Sequence, residues 1–323
     1  MLSFITRLKK IKNLIIAKID KILLNQLRTE ETIKLLPEIS ADQRTQTIIL
    51  NKHSRVLEEV KSLLQENLEK TSLSSHTLPN KTTETDQQET KEASPIPFFQ
   101  ADFYQRINQR RLEHLASLNL PIADSTVLEV GAGIGDHTSF FTDRGCQIVS
   151  TESRPENLDV IRSRYPKIRV EQLDLDYPKP EFQELFDIVY CYGLLYHLKK
   201  PAEAIAFMAK RTPKMLLLET CVSFGEKAAV NFCEEPTINP TQSSSGTGCR
   251  PTRIWIYEQL KQHFQYVYLP LTQPNHEQFP IKWDSQNTQR DQWDLARSIF
   301  IASHQALSNP LLTEELLSIQ EKH

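Results

Sequence analysis

The chain has 323 residues, of which 39% are hydrophobic and 24% are charged, and its formal net charge is −3 at pH 7. These fractions are typical of a globular protein, and the length suffices for one large or two small domains. No apolar run approaches the roughly 18 residues of a transmembrane helix or forms a signal-peptide core, so we expect neither membrane spans nor secretion. The five cysteines contain no Cys-x-x-Cys pair. We therefore expect reduced thiols in a cytoplasmic protein that binds no zinc or other metal.

Residues 1–28 predict a basic amphipathic helix. They carry seven Lys or Arg against one acid, Asp20, and their apolar residues recur at steps of three or four. Such a helix binds either an anionic membrane surface or a partner helix, including that of a second copy, and both alternatives stay open. An organelle presequence would favour Arg over these lysines.

A second helical pattern covers residues 49–68, where Ile49, Val56 and Leu63 lie one heptad apart. This length predicts a short coiled coil or helical hairpin. Residues 70–97 are rich in Thr, Ser, Glu and Gln and predict a disordered linker. We thus expect a helical arm over residues 1–69, a linker over 70–97, a folded domain over 98–305 and a helical tail over 306–323.

The central pattern of the folded domain is an apolar strand followed by three alternate glycines. Gly131 is the first of only eight glycines in the chain, and Gly133 and Gly135 follow it directly. Such clustering predicts a backbone that needs positive φ or a close approach to a ligand. A dinucleotide-binding turn would place its third glycine where Asp136 stands. The pattern is instead acid-x-Gly-x-Gly-x-Gly, in which the acid is Glu129.

This arrangement resembles the first motif of the class I S-adenosylmethionine-dependent methyltransferases, and further strand-end signals keep that family's spacing over residues 98–305. The resemblance implies a Rossmann-like α/β fold with a seven-stranded sheet, and S-adenosyl-L-methionine as the cofactor. Glu152 ends the second strand about twenty residues beyond the first glycine, where an acid accepts the ribose hydroxyls. Asp174 follows the third strand and would accept from the adenine amino group, with Asp176 as the reserve choice. The cofactor residues implied are Glu129, Gly131, Ala132, Gly133, Gly135, Glu152, Asp174, Leu175, Cys191 and Tyr192.

The acceptor side is expected beyond the fourth and fifth strands. In an open parallel sheet the ligand lies at the carboxyl ends of the strands, where strand order reverses. Tyr196 and His197 follow the fourth strand, Glu219 follows the fifth, and these three are candidate catalytic residues together with Arg250. Residues 222–251 have few periodic apolar positions and predict a flexible lid that ends near Arg250.

The sequence predicts a methyltransferase that acts on a small molecule or a glycan at oxygen. An alternative is RNA modification, because the segment over residues 193–197 also resembles that of methyltransferase-fold enzymes acting on wobble uridine in tRNA. Residues 96–323 contain 23 Lys or Arg and 28 Asp or Glu, which disfavours a nucleic-acid partner. The other alternative is a scaffold that binds the cofactor without turnover and is recruited through its helical arm.

Overall fold

The structure is a computed structural model that describes residues 94–283 and 296–323. The chain divides into two units, Met1–Glu89 and Thr90–His323, and the described residues all belong to the second. The predicted arm, nearly all of the predicted linker and the loop containing Trp293 lie outside the described residues. No helix in the part that is described is long and apolar enough to cross a membrane.

Strands and helices alternate from Thr126 to Val222, except that β4 follows β3 with no helix between them. The helices are α1 (Ile96–Phe99), α2 (Asp102–Ser117), α3 (Thr138–Thr142), α4 (Pro155–Arg164), α5 (Pro201–Ala209) and α6 (Arg253–Lys261), with a 3-10 turn at Leu195–His197. The strands are β1 (Thr126–Val130), β2 (Gln147–Glu152), β3 (Arg169–Gln172), β4 (Ile188–Tyr192), β5 (Met215–Val222), β6 (Val230–Glu234), β7 (Thr247–Pro251), β8 (Tyr266–Pro270), β9 (Thr272–Gln273), β10 (Ala296–Ser303), β11 (Leu312–Thr313) and β12 (Glu321–Lys322).

The main sheet has the strand order β11-β8-β10-β5-β4-β1-β2-β3. Strands β3, β2, β1, β4 and β5 are parallel neighbours, and β10 lies antiparallel between β5 and β8. Strand order reverses at β1 and β4, which places a crevice at their carboxyl ends. This confirms the predicted Rossmann-like α/β class, with the two-residue β11 as an eighth strand.

Two apolar clusters cover opposite faces of the sheet, and the alternation of side chains along each strand decides which cluster a residue joins. In β1, Leu128 and Val130 belong to the cluster that contains α5 and α6, whereas Val127 belongs to the one that contains α2. In β4, Cys191 lies on the first face and Tyr192 on the second. Central strands buried on both faces are mostly apolar, which is why they are readable as strands in the sequence.

The prediction of a helical tail over residues 306–323 is wrong. Strand β11 pairs antiparallel with β8, and β12 pairs parallel with β9. The side-chain amide of Gln320 donates through Nε2 to the carbonyl of Pro270, and its Oε1 accepts from the indole of Trp283. The tail satisfies its polar groups against strand edges and loops, so it gains nothing from helical hydrogen bonds.

Residues 222–251 form an ordered structure where the sequence predicted a flexible lid. Strands β6 and β7 pair antiparallel over five residues each, in a two-stranded ribbon that follows β5. One guanidinium nitrogen of Arg154 donates to four loop carbonyls between the two strands. These carbonyls belong to Thr237, Asn239, Gln242 and Ser243. This segment has few apolar residues to pack, and hydrogen bonds hold its backbone in place instead.

Candidate active site

The turn after β1 needs its glycines for positive φ, as predicted, and for close packing against neighbouring side chains. Gly131 and Gly133 have φ of 67° and 58°, a backbone conformation that side chains disfavour. A Cβ at Gly131 would lie 2.8 Å from the side chain of Leu194, and one at Gly133 would lie 2.6 Å from the ring of Phe99. The glycines therefore allow a close approach at the carboxyl end of β1.

A pocket opens beside this turn, at the crevice between the ends of β1 and β4. Its walls include Glu129, Ala132, Gly133 and Tyr192, as the sequence predicted, together with Phe99, Tyr104, Arg111 and His137. Three buried polar atoms of this wall have no hydrogen-bond partner among the described residues. They are the Tyr192 hydroxyl, Nε2 of His137 and Nε of Arg111. Buried polar atoms without partners are costly, which favours a polar ligand in this pocket.

The carboxylate of Glu152 lies beside the glycine turn, as predicted. Its Oε2 accepts from the backbone N–H of Gly133 at 3.0 Å, and its Oε1 accepts from the N–H groups of Ser153 and Arg154. Burial raises the pKa of Glu152, and these hydrogen bonds oppose the shift. Glu152 thus holds the turn in shape, and Oε2 keeps a lone pair for one further donor.

Glu129 lies deeper and is held by two hydroxyls. Thr138 and Ser150 both donate to its Oε2, at 2.7 and 2.6 Å. Burial raises the pKa of Glu129 to about 7, although the two hydroxyls favour the ionised form. Its position in the pocket wall agrees with the prediction, and its second oxygen has no partner among the hydrogen bonds of the described residues.

The two acids after β3 have different surroundings. Asp176 accepts from the backbone N–H groups of Lys199 and Lys200 at the start of α5, so it is a structural cap. Asp174 accepts from the N–H of Asp176 at 2.8 Å and stays partly exposed. This arrangement favours Asp174 over Asp176 as a ligand-binding acid. Its neighbour Leu175 is buried in the apolar core.

Five residues of the predicted cofactor set lie outside the pocket wall, namely Gly135, Glu152, Asp174, Leu175 and Cys191. The side chain of Cys191 is fully buried on the opposite face of β4, because neighbouring side chains of a strand alternate, and burial raises the pKa of its thiol to about 12. Gly135 packs against Tyr165, whose hydroxyl donates to the Gly135 carbonyl, so it serves the turn itself. That Cys191 borders the cofactor stays a prediction, and its thiol faces away from the pocket.

Glu219 lies inside β5, which continues three residues beyond it to Val222, so it is not the predicted strand-end acid at an exposed rim. It is fully buried between two arginines. Its Oε2 accepts from Arg111 at 2.9 Å, and its Oε1 accepts from Arg297 at 3.1 Å. Arg297 also donates to the hydroxyl of Tyr196 at 3.1 Å. We call Arg111, Glu219 and Arg297 the buried charge cluster, and it carries two positive charges against one negative charge.

His197 lies in the 3-10 turn one residue after Tyr196 and pairs with a residue of the hairpin. Its Nδ1 is hydrogen-bonded to the carboxylate of Glu235, directly after β6. The other oxygen of Glu235 accepts from Arg250 at 3.2 Å. Arg250 lies in β7 and also donates to the carbonyl of Tyr196, so it is part of this pair's support and not the end of a mobile loop.

The match to a known family covers β1 to just beyond α5. Residues 127–212 match the family described as "Methyltransferase domain". This match supports the predicted methyltransferase family for this part of the chain, and S-adenosylmethionine is the cofactor that the predicted family implies. The strand order of the sheet confirms the predicted Rossmann-like fold.

The methyltransferase domain is also similar to curated proteins over part of their length. The tRNA U34 carboxymethyltransferase of Actinobacillus pleuropneumoniae serotype 3 is 32% identical over 134 residues, which are 39% of this chain and 40% of that protein. The protein of the same name from Actinobacillus succinogenes is 33% identical over 130 residues, 38% of this chain and 39% of that one. The match thus spans well under half of these relatives.

Two solved structures resemble the methyltransferase domain more distantly. The N-terminal domain of EvdMO1, crystallised in the presence of SAH and D-fucose, is 18% identical, with 64% of this chain and 85% of that chain covered and a TM-score of 0.47. The YcgJ protein from Bacillus subtilis is 13% identical, with 61% and 99% covered and a TM-score of 0.45. Scores below 0.5 carry no argument about function.

Sequence reasoning missed three charged residues of the methyltransferase domain's site. Arg111 was readable, because it shares one helical stripe of α2 with Ile107 and Leu115, both buried. Arg297 also left a signal, as an arginine in an otherwise apolar strand. Glu235 left none, because it follows a short exposed strand and its partners are distant in sequence.

Proposed function

We propose that the chain is an S-adenosylmethionine-dependent methyltransferase that acts on a hydroxyl of a small molecule or a glycan. One observation carries the proposal. The edge of the sheet that holds the glycine-turn pocket also holds, one turn beyond β4, a histidine whose Nδ1 is bound by a carboxylate. A poorly acidic hydroxyl needs such a base, whereas more nucleophilic acceptors react without one.

The residues of the pocket fit the cofactor. Gly131 and Gly133 keep the pocket side of the turn free of side chains, and the unpartnered atoms of Arg111 and Tyr192 supply polar contacts in the pocket wall. Glu152 and Asp174 lie outside that wall, at the ends of β2 and β3, and would supply acceptors there. Bound there, the cofactor supplies an electrophilic methyl group on a sulfonium. The protein then contributes alignment and exclusion of water. On the acceptor side, His197 would take the proton of the acceptor hydroxyl.

The acidic balance of the domain supports a small or glycan acceptor. Residues 96–323 carry 28 acidic and 23 basic residues, and a nucleic-acid partner generally requires a basic surface. We include membrane contact or self-association through residues 1–69 in the proposal as the arm's role, since its basic amphipathic pattern suits either.

The buried charge cluster favours a second candidate, transfer of a carboxymethyl group. The cluster has one positive charge in excess, and a buried unbalanced cation is stabilised by an anionic ligand. The partly matching relatives are carboxymethyltransferases by name, and a carboxymethyl group brings a carboxylate into the site. The second candidate therefore takes a sulfonium donor that carries carboxymethyl in place of methyl, with tRNA as its acceptor class.

The test measures donor and acceptor separately. The purified full chain is titrated calorimetrically with S-adenosylmethionine, S-adenosylhomocysteine and the carboxymethyl sulfonium analogue. Methyl-labelled cofactor, and in parallel the carboxymethyl sulfonium analogue with a labelled carboxymethyl group, is then incubated with separate small-molecule, oligosaccharide and total tRNA fractions. Methyl label in the first or second fraction supports the proposal, carboxymethyl label in tRNA supports the second candidate, and cofactor binding without any transfer supports the scaffold alternative. Methyl label in tRNA alone would contradict both the proposed acceptor and the second candidate's donor.

A further inference from the structure

The hairpin β6–β7 brings to the acceptor side a carboxylate that no sequence motif predicts. Glu235 has a side chain that is 3% exposed, and both of its oxygens are used. One is hydrogen-bonded to Nδ1 of His197, and it also accepts from the backbone N–H of Ser243 at 2.9 Å. The other accepts from Arg250. A buried carboxylate with charged and neutral donors on both oxygens is fixed in one orientation.

His197 is held at one ring nitrogen and open at the other. Nε2 makes no hydrogen bond with the described residues. It is not one of their fully buried unpartnered atoms, so it keeps a small contact with solvent. Because the carboxylate of Glu235 accepts, Nδ1 must donate, and the lone pair of the neutral ring then lies on Nε2. The ring nitrogen without a protein partner, Nε2, is therefore the basic one.

We propose that Glu235 is the positioning residue that fixes His197 in the tautomer with Nε2 unprotonated. This inference rests on the proposed function, in which Nε2 takes the proton of the acceptor hydroxyl while the oxygen bonds to the methyl carbon. The sulfur–methyl bond of the sulfonium breaks in the same step, and its electron pair stays on the sulfur of S-adenosylhomocysteine. Glu235 touches neither acceptor nor cofactor and acts through His197. The imidazolium that forms on proton transfer is stabilised by the adjacent carboxylate.

Gly248 makes the approach of the carboxylate possible. Its φ is not positive, so backbone conformation does not require a glycine there. A Cβ at this position would lie 2.4 Å from Oε1 of Glu235 and 2.8 Å from the carbonyl oxygen of Tyr196. The glycine in β7 is thus a requirement of the pair between Glu235 and His197, and it offers a way to displace the carboxylate without removing its charge.

The charged groups around His197 set the direction of its titration. Burial lowers the pKa of His197, Glu235 raises it, and Arg250 and Arg297 lower it. Burial alone would raise the pKa of Glu235, but the hydrogen bond from His197 lowers it overall. The base is therefore neutral and the carboxylate ionised near pH 7. Removing the charge of Glu235 lowers the pKa of His197 further and shifts the acidic limb of a pH–rate profile to lower pH.

The test reads the tautomer directly by nitrogen-15 NMR of histidine in the full-length protein, with His197→Gln to assign the signal. We expect protonated Nδ1 and unprotonated Nε2 in the wild-type protein at neutral pH. Glu235→Gln and Gly248→Ala should each move the ring toward the other tautomer. Glu234→Gln, a change to the exposed neighbour, should leave it unchanged. Wild-type His197 protonated at Nε2, or the wild-type tautomer in both Glu235→Gln and Gly248→Ala, would overturn the inference.

Calorimetric titration of the same proteins with S-adenosylhomocysteine separates this inference from the proposed function. We expect equal affinity in the wild-type, Glu235→Gln and Glu234→Gln proteins, because Glu235 belongs to the acceptor side. Loss of affinity in Glu235→Gln alone would contradict a positioning role for the acceptor side. Absence of binding in all three would reject the proposed function, whereas the tautomer measurement would still decide the pairing.

Discussion

The cofactor side and the acceptor side of this pocket are built in different ways. On the cofactor side, the glycine turn and Glu152 come from consecutive strands, and the hydrogen bond from Gly133 to Glu152 spans 19 positions. On the acceptor side, His197 and Glu235 are 38 positions apart, and Glu219 and Arg297 are 78 apart. The first depends on local backbone geometry, and the second depends on buried charges brought together by the whole sheet.

This difference teaches which changes should affect binding and which should affect folding. A turn that approaches a ligand tolerates no side chain, but a substitution in such a turn leaves the core intact. A buried charge cluster has the opposite property, because removing one member leaves uncompensated charge inside the protein. The predictions below separate the two sides by this criterion.

Glu219→Gln should be the most destabilising change. Two buried arginines would lose their only shared carboxylate among the described residues, so we expect the free energy of unfolding to fall by about 3–5 kcal/mol. Urea denaturation monitored by tryptophan fluorescence measures this loss of stability. All three tryptophans follow Thr252. The control is Glu277→Gln, which breaks the exposed pair with Arg106 and should cost about 0–1 kcal/mol. Equal losses in the two variants would refute the structural importance of the cluster.

Gly133→Ala should weaken cofactor binding about 100-fold, which corresponds to about 2.8 kcal/mol. A Cβ there meets Phe99 at the pocket wall and strains a backbone with φ of 58°. Gly145→Ala is the matched control, because its φ of 75° gives similar strain in a turn outside the pocket wall. Calorimetry with S-adenosylhomocysteine should show lost affinity in the first variant alone. Normal affinity in a folded Gly133→Ala protein would remove the turn from the cofactor site.

Glu152→Ala should weaken cofactor binding by about 1–3 kcal/mol, the scale of lost charge-assisted hydrogen bonds. A carboxylate at a strand end supports no packing, so its position in the sequence suggests little loss of stability. The structure changes that expectation, because three backbone N–H groups donate to this carboxylate and would lose their acceptor. Calorimetry and urea denaturation should therefore both show an effect. A protein that melts early yet binds normally would make Glu152 purely structural.

Asp174→Asn and Asp176→Asn should each have a small effect, the first on cofactor affinity and the second on stability. The first should lower cofactor affinity by about 0.5–1.5 kcal/mol with unchanged stability, the scale of one hydrogen bond. The second should lower stability with unchanged affinity, because Asp176 accepts from the start of α5. Measurement of both quantities in both variants checks the assignment. The reverse pattern would identify Asp176 as the acid that binds the cofactor.

The sequence predicted the cofactor side better because its signals are local. The strand, the glycines and Glu152 lie within one βαβ unit, where spacing alone fixes their neighbours. Spacing does not say which face of β4 a side chain takes, so the sequence could not show that the thiol of Cys191 is buried away from the pocket. The hairpin escaped prediction because hydrogen bonds from Arg154 to loop carbonyls, not apolar periodicity, hold it. Glu235 and Arg297 reach the site only through tertiary contacts.

The central claim is that the two sides are separable, and one calorimetric comparison tests it most directly. S-adenosylhomocysteine is titrated into the wild-type, His197→Gln and Gly133→Ala proteins under the same conditions. We expect His197→Gln to bind with wild-type affinity, since His197 belongs to the acceptor side, and Gly133→Ala to lose about 100-fold. Equal loss of affinity in both variants would contradict the account.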